Sequence, residues 1–126
     1  MRRLSIGASG TALAIVLAWS QAIGAGPGEA GGLIGVGVKS CEDFSQAEVS
    51  AGRGDDLGVL ALRRQEDWAA GLVSGLNFAG GRDFLRHVPF AGFMRRVAQH
   101  CADHPRDDVF TAVNTVLKQL NAPEKE

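Results

Sequence analysis

The chain has 126 residues, two of them cysteine and none tyrosine, with 13 Lys and Arg against 14 Asp and Glu. That length holds one domain of ordinary size. The formal charge of −1, with no basic tract, excludes the electrostatic footprint that a nucleic-acid partner demands.

In chain order, Met1-Arg2-Arg3 is a short basic segment and Thr11 to Trp19 is apolar after its opening threonine. Ser20-Gln21 is polar, and small residues follow at Ala22, Gly24 and Ala25. This order is that of a secretory signal peptide spanning 1–25, cut after Gly24 or Ala25. A membrane anchor is the competing reading, but the apolar run is about half of the roughly 20 residues that a spanning helix needs. Stable membrane insertion after cleavage is therefore not expected. Cleavage removes two arginines and no acid, leaving 11 basic against 14 acidic residues, a charge of −3. Expected localisation is periplasmic or secreted, where a disulfide can form.

Residues 26–38 are dense in glycine and read as a flexible segment, with Leu33 to Val38 as a short extended stretch. A helical domain over 39–122 follows. After Cys41 the run EDFSQAEVSA places acids first and helix formers within, which predicts a short helix ending near Gly52. GRGDD is a turn, and Asp55 or Asp56 can cap the next helix. From Leu57 to Asn77, Leu62, Ala69, Leu72, Val73 and Leu76 recur at helical steps, with Arg63, Arg64, Glu66 and Asp67 on another side. Trp68, Gly71 and Gly75 share one face. With Asn77 they form a candidate groove, either for close approach of another helix or for a ligand.

AGGRD breaks the chain, and a third helix starts near Pro89 with the stripe Phe90, Phe93, Met94, Val97, Ala98 and Cys101. A last helix opens at Pro105 with Asp107 and Asp108 in its first turn, and carries Val109, Val113, Val116, Leu117 and Leu120. Asn121-Ala122-Pro123 ends it, and 123–126 form a charged tail. The fold class expected is all-α: a small bundle of about four helices stapled by one disulfide.

The densest chemistry lies in QHCADHP, residues 99 to 105. His100 and His104 have the i, i+4 spacing of a helical metal pair. However, His104 precedes a proline, which pushes it out of the helical region, so the helix should stop before that spacing works. A third ligand would have to come from Cys101, Asp103 or His87. Cys101 as a nucleophile would sit at a helix C-terminus and on an apolar stripe, both of which disfavour a thiolate. His87, beside Arg86 in a loop, reads as solvated. Two cysteines in an exported chain make a Cys41–Cys101 bridge the expected state, closing a 60-residue separation. No catalytic, cofactor-binding or metal-ligating residue is assigned.

The order of a cysteine before a short helix, then WAAGLVSGLN (68–77), GRDFLR (81–86) and HCADHPRD (100–107), resembles a group of small exported two-cysteine bacterial proteins. More loosely it is similar to the HdeA/HdeB acid-stress chaperones and the Rap/Tai immunity proteins of type VI secretion. The resemblance covers Cys41 to Leu120 and carries over the two cysteines, the Trp68–Asn77 helix and the helix start at Pro105. It implies a non-enzymatic protein whose partner is another protein, either an unfolded client or a toxin. The alternative is a small periplasmic enzyme or metal-binding protein using His100, Cys101 and His104.

Overall fold

The computed structural model describes residues 32–123. The expected signal peptide, most of the glycine-rich segment and the end of the charged tail lie outside them. Within them the chain is all-α, as expected, with no named strand. Four helices, α1 (Cys41–Gly52), α2 (Asp56–Gly80), α3 (Phe90–Asp103) and α4 (Val109–Leu120), follow a short 3-10 turn at Gly35–Val38. No described helix is long and apolar enough to cross a membrane.

Each helix start has a local cause. Ser40 caps α1 by accepting from the Asp43 amide, Asp55 caps α2 through Gly58, and Asp108 caps α4 through Thr111. α3 instead begins after Pro89, whose missing N–H costs nothing there. α2 runs three residues past the predicted Asn77 and stops at Gly81, which takes the left-handed conformation with φ 61°.

The last helix does not open at Pro105. It starts four residues later, because residues 105–109 are used in a long-range pairing. The Cys41 amide donates to the Asp107 carbonyl (2.8 Å), the Glu42 amide to the Pro105 carbonyl (3.1 Å), and the Val109 amide to the Lys39 carbonyl (2.9 Å). These bonds surround an isolated antiparallel bridge between Ser40 and Asp108, so the starts of α1 and α4 lie side by side. Two of the orphan amides of α1 are thereby satisfied by carbonyls far away in sequence, those of Asp107 and Pro105.

The core is one cluster. Cys41 and Phe44 of α1, Ala69 and Val73 of α2, Phe93, Met94, Val97 and Cys101 of α3, and Val109, Ala112, Val113, Val116 and Leu117 of α4 are all buried in it. The predicted stripes of α3 and α4 are thus the faces that pack. Between α1 and α2 the approach is close at Gly58, where an added Cβ would lie 2.7 Å from the Ala51 nitrogen and 2.8 Å from the Ser50 carbonyl carbon. Only glycine fits against that backbone.

The α1–α2 seam also holds a partly buried carboxyl. Burial, and then repulsion from Glu66, push the Glu48 pKa above the ordinary carboxylate value. A carboxyl raised on folding adds stability that is complete below its unfolded pKa and is lost as pH rises through the folded one. Glu48→Gln is therefore expected to raise the melting temperature at about pH 7 and to leave it unchanged at about pH 3. Thermal melts of both proteins across that range check this.

Candidate functional site

The segment 99–105 sits at the end of α3 and the turn into α4. The chain leaves the helix at His104, whose φ of −131° and ψ of 65° are non-helical, as a residue before proline requires. Its amide still donates to the His100 carbonyl at 2.8 Å, and the Asp107 amide to the His104 carbonyl at 3.0 Å. The turn is thus closed by backbone bonds while its outer carbonyls serve α1.

The two cysteines are bonded, with a Cα–Cα distance of 4.6 Å, and both residues are fully buried. No free thiol remains. Cys101 is therefore committed to the bridge that ties the first residue of α1 to the last turn of α3.

His100 makes the most specific side-chain contact of the segment. Its Nε2 lies 2.8 Å from Asp107 Oδ2, with the imidazole largely buried. An ionised carboxylate only accepts, so this nitrogen carries the proton and donates. The bond clamps α3 onto the turn that leads into α4. Although the helix ends before His104, the two imidazoles still meet. They stack, with centroids 4.5 Å apart and planes tilted by 34°. The helix does end before the i, i+4 spacing is complete, but the extended His104 folds its ring back over the last turn. Asp103 engages Gln99 instead of an imidazole, at 3.1 and 3.2 Å. His87 lies far along the chain with its side chain almost wholly exposed, 3.6 Å from Asp83. Among the described residues no three of His, Cys, Asp and Glu are placed to hold one metal ion.

Replacing His100 and His104 together by Gln is expected to cost about 1.5–3 kcal/mol, the net worth of one partly buried hydrogen bond to a charged group. It is expected to release no metal. A melt together with elemental analysis of the wild type and the double variant checks both parts.

The predicted groove is placed differently from expectation. Gly71 and Gly75 are exposed, and a Cβ added at either would meet nothing within 4 Å. No described helix approaches there. Trp68 turns toward the N-terminal turn instead. Its Nε1 donates to the Ile34 carbonyl at 3.0 Å, its ring lies directly over Gly37, and Phe110 meets it edge-on at 6.5 Å between centroids. Gly35–Val38 is therefore not part of an extended stretch but a 3-10 turn docked on the indole, with Ile34 extended before it, and the compact unit begins at Leu33.

Asn77 also leaves the groove. Its side-chain oxygen accepts from the Phe84 amide at 2.9 Å, while Asn121 donates to the Phe84 carbonyl at 2.8 Å. Asp83 accepts from the amides of His87 and Leu85, and these two bonds hold its carboxyl below the usual carboxylate range. Arg82 lies 4.1 Å over the Phe84 ring. Together these contacts hold Arg86 and His87 at φ of 54° and 67°, unusual for residues with a Cβ. The sequence stretch GRDFLR is a built loop between α2 and α3.

What sequence reasoning missed is the outer stripe of α2. Leu57, Leu60, Arg64, Asp67, Gly71, Ser74, Gly75 and Phe78 are all exposed, and at 100° per residue they fall within one 100° sector. Leu57 is 75% and Phe78 92% exposed. The signal was present as apolar residues off the core period. Comparison with protein-family models, curated proteins and solved structures finds no match for this chain.

Proposed function

We propose that this chain is an exported, non-enzymatic module that binds another protein through the outer face of α2. The observation that carries the reading is the exposure of Leu57, Leu60 and Phe78 in one stripe of a single 25-residue helix. A large aromatic ring left in water on a rigid helix gains free energy when a partner covers it. Gly71 and Gly75, with no Cβ, let that partner approach the helix axis closely. The frame behind the stripe is stapled, so little is lost in ordering it on binding. The resemblance to HdeA/HdeB chaperones and Rap/Tai immunity proteins supports a protein partner, a client or a toxin. Cys101 held in a disulfide supports a non-enzymatic role.

Photocrosslinking residues placed at positions 75 and 78, and as a control at Arg95 on α3, identify the partner in cells that make the full chain. The partner is then purified and titrated. Phe78→Ala is expected to weaken its binding tenfold or more, the loss of about 1.4 kcal/mol or greater that marks a central aromatic contact. Equal adducts from position 95, or unchanged affinity of the variant, reject the reading.

A second reading, an enzyme or metal protein using His100, Cys101 and His104, draws on the stacked imidazoles alone. Stoichiometric zinc in the purified protein, lost on changing both histidines, would favour it over the first.

A further inference from the structure

We propose that the outer stripe of α2 pairs with the same stripe of a second copy of this chain, as an antiparallel helix pair closed by two Arg64–Asp67 contacts. The inference rests on the reading of that stripe as a protein-binding face, and names what covers it while no other partner is bound.

Leu57, Leu60, Arg64, Asp67, Gly71, Ser74 and Phe78 follow one another at alternate steps of three and four residues, and all are exposed. Such a spacing repeats every seven residues and keeps one seam facing a neighbouring helix along its length. α2 has 25 residues, a length of about 37 Å, and the seam runs for about three heptads of it. The buried residues Gly58, Gln65, Ala69 and Val73 lie on the opposite side of the helix. Two copies can therefore meet seam to seam, each with its own core turned away from the other.

The charges choose the direction. Among the described residues the ion pairs are His87–Asp83 and His100–Asp107, so neither Arg64 nor Asp67 has one. A parallel pair sets Arg64 against Arg64 and Asp67 against Asp67, and both layers repel. An antiparallel pair centred between these two positions brings Arg64 of each copy level with Asp67 of the other. The same attraction is thus made twice.

The side-chain sizes agree with that register. Leu60 faces Gly71 of the second copy, where an added Cβ meets nothing within 4 Å and a leucine finds room. Leu57 faces the small Ser74. Phe78 lies about 6 Å further along the axis, and a long side chain on a helix leans toward the N-terminus, here onto Leu57 of the second copy. The two most exposed apolar residues of the stripe, at 75% and 92%, are thereby covered together. Sliding by one heptad sets Arg64 against Ser74 or Leu60 instead, and both charges lose their partners.

The test is sedimentation equilibrium of the full mature chain at low salt, up to about 1 mM. A short seam with charged central layers is expected to give a dimer with a Kd of about 10–100 µM, in the weak class of interfaces. Arg64→Glu and Asp67→Arg each set like charges opposite one another in two layers. Each variant alone is expected to dimerise at least tenfold more weakly than the wild type. Mixing the two variants is expected to restore association, because every charge then meets its opposite across the seam. Both positions are exposed, so the dilute variants are expected to melt like the wild type, which separates lost pairing from lost folding. Photocrosslinks from position 78 that join two copies support the pairing even where no other partner is found. Crosslinks from it to another protein alone, with a wild type still monomeric at about 1 mM, overturn the pairing and leave the broader reading of the stripe in place. Single variants that dimerise as well as the wild type, or a mixture that stays monomeric, also overturn the proposal.

Discussion

Replacing Cys41 and Cys101 together by Ala is expected to lower stability by about 2–5 kcal/mol, a large share of the total for a domain of this size. Two effects add. The bridge closes a 60-residue separation, so its loss returns conformational freedom to the unfolded chain. Both half-cystines are fully buried in the core with Phe44, Phe93 and Val97, so alanine leaves a space there as well. The effect should extend beyond the sulfurs, because Cys41 is also the residue whose amide reaches Asp107 at the start of the α4 pairing. Reduction of the wild type should reproduce most of the loss, without the packing part. Denaturant unfolding with and without reductant, for both proteins, measures the two parts separately. An unfolding midpoint that does not move under full reduction would sink the prediction.

Much of this fold is written locally. The stripes of α3 and α4, the cap at Asp55, the break at Gly81 and the cysteine pairing follow from residue type and spacing, and each lies where those signals place it. The failures share one physical cause, which is contact between residues distant in sequence. Pro105 is a good helix opener, yet residues 105–109 pair with Lys39–Glu42, and the helix waits for the cap at Asp108. The motif Asp-Val-Phe-Thr at 108–111 carried that signal in the sequence. The glycines of the N-terminal turn read as flexibility because nothing nearby constrains them. Their constraint is an indole more than thirty residues further on. Gly71 and Gly75 read as a helix-packing groove because small residues at that spacing often are one. Here the indole of the same face turns to the 3-10 turn and the glycines stay in solvent. The histidine pair of QHCADHP shows the same limit. The rule for residues before proline gives the helix end, but where the ring of a non-helical His104 goes is settled by tertiary packing.

Trp68→Ala is expected to cost about 3 kcal/mol, toward the lower end for truncating a large aromatic because the indole is half-buried. The loss comprises the bond from Nε1 to the Ile34 carbonyl, the edge contact with Phe110 and the lid formed by Gly35 and Gly37. Gly37 supplies the sharper half of the test. A Cβ built there collides with Cζ2 and Cη2 of the indole, so Gly37→Ala must displace either the turn or the ring. Gly35 is a different case, since its φ of 87° is itself a glycine conformation. Gly37 has no such requirement, and the three atoms nearest an added Cβ all belong to the indole. In the Trp68→Ala background those atoms are gone. Gly37→Ala is then expected to be neutral or slightly stabilising, because alanine restricts the unfolded chain. A double-mutant cycle therefore gives a coupling of about 1–3 kcal/mol, the range for overpacking at a rigid contact. If signal cleavage occurs at residue 24 or 25, Trp68 is the only tryptophan of the mature chain. Its emission then reports directly, shifting to the red in Gly37→Ala if the turn lifts away. Additive penalties from the two substitutions would mean that the turn and the indole do not hold each other, and the docked turn would have to be explained some other way.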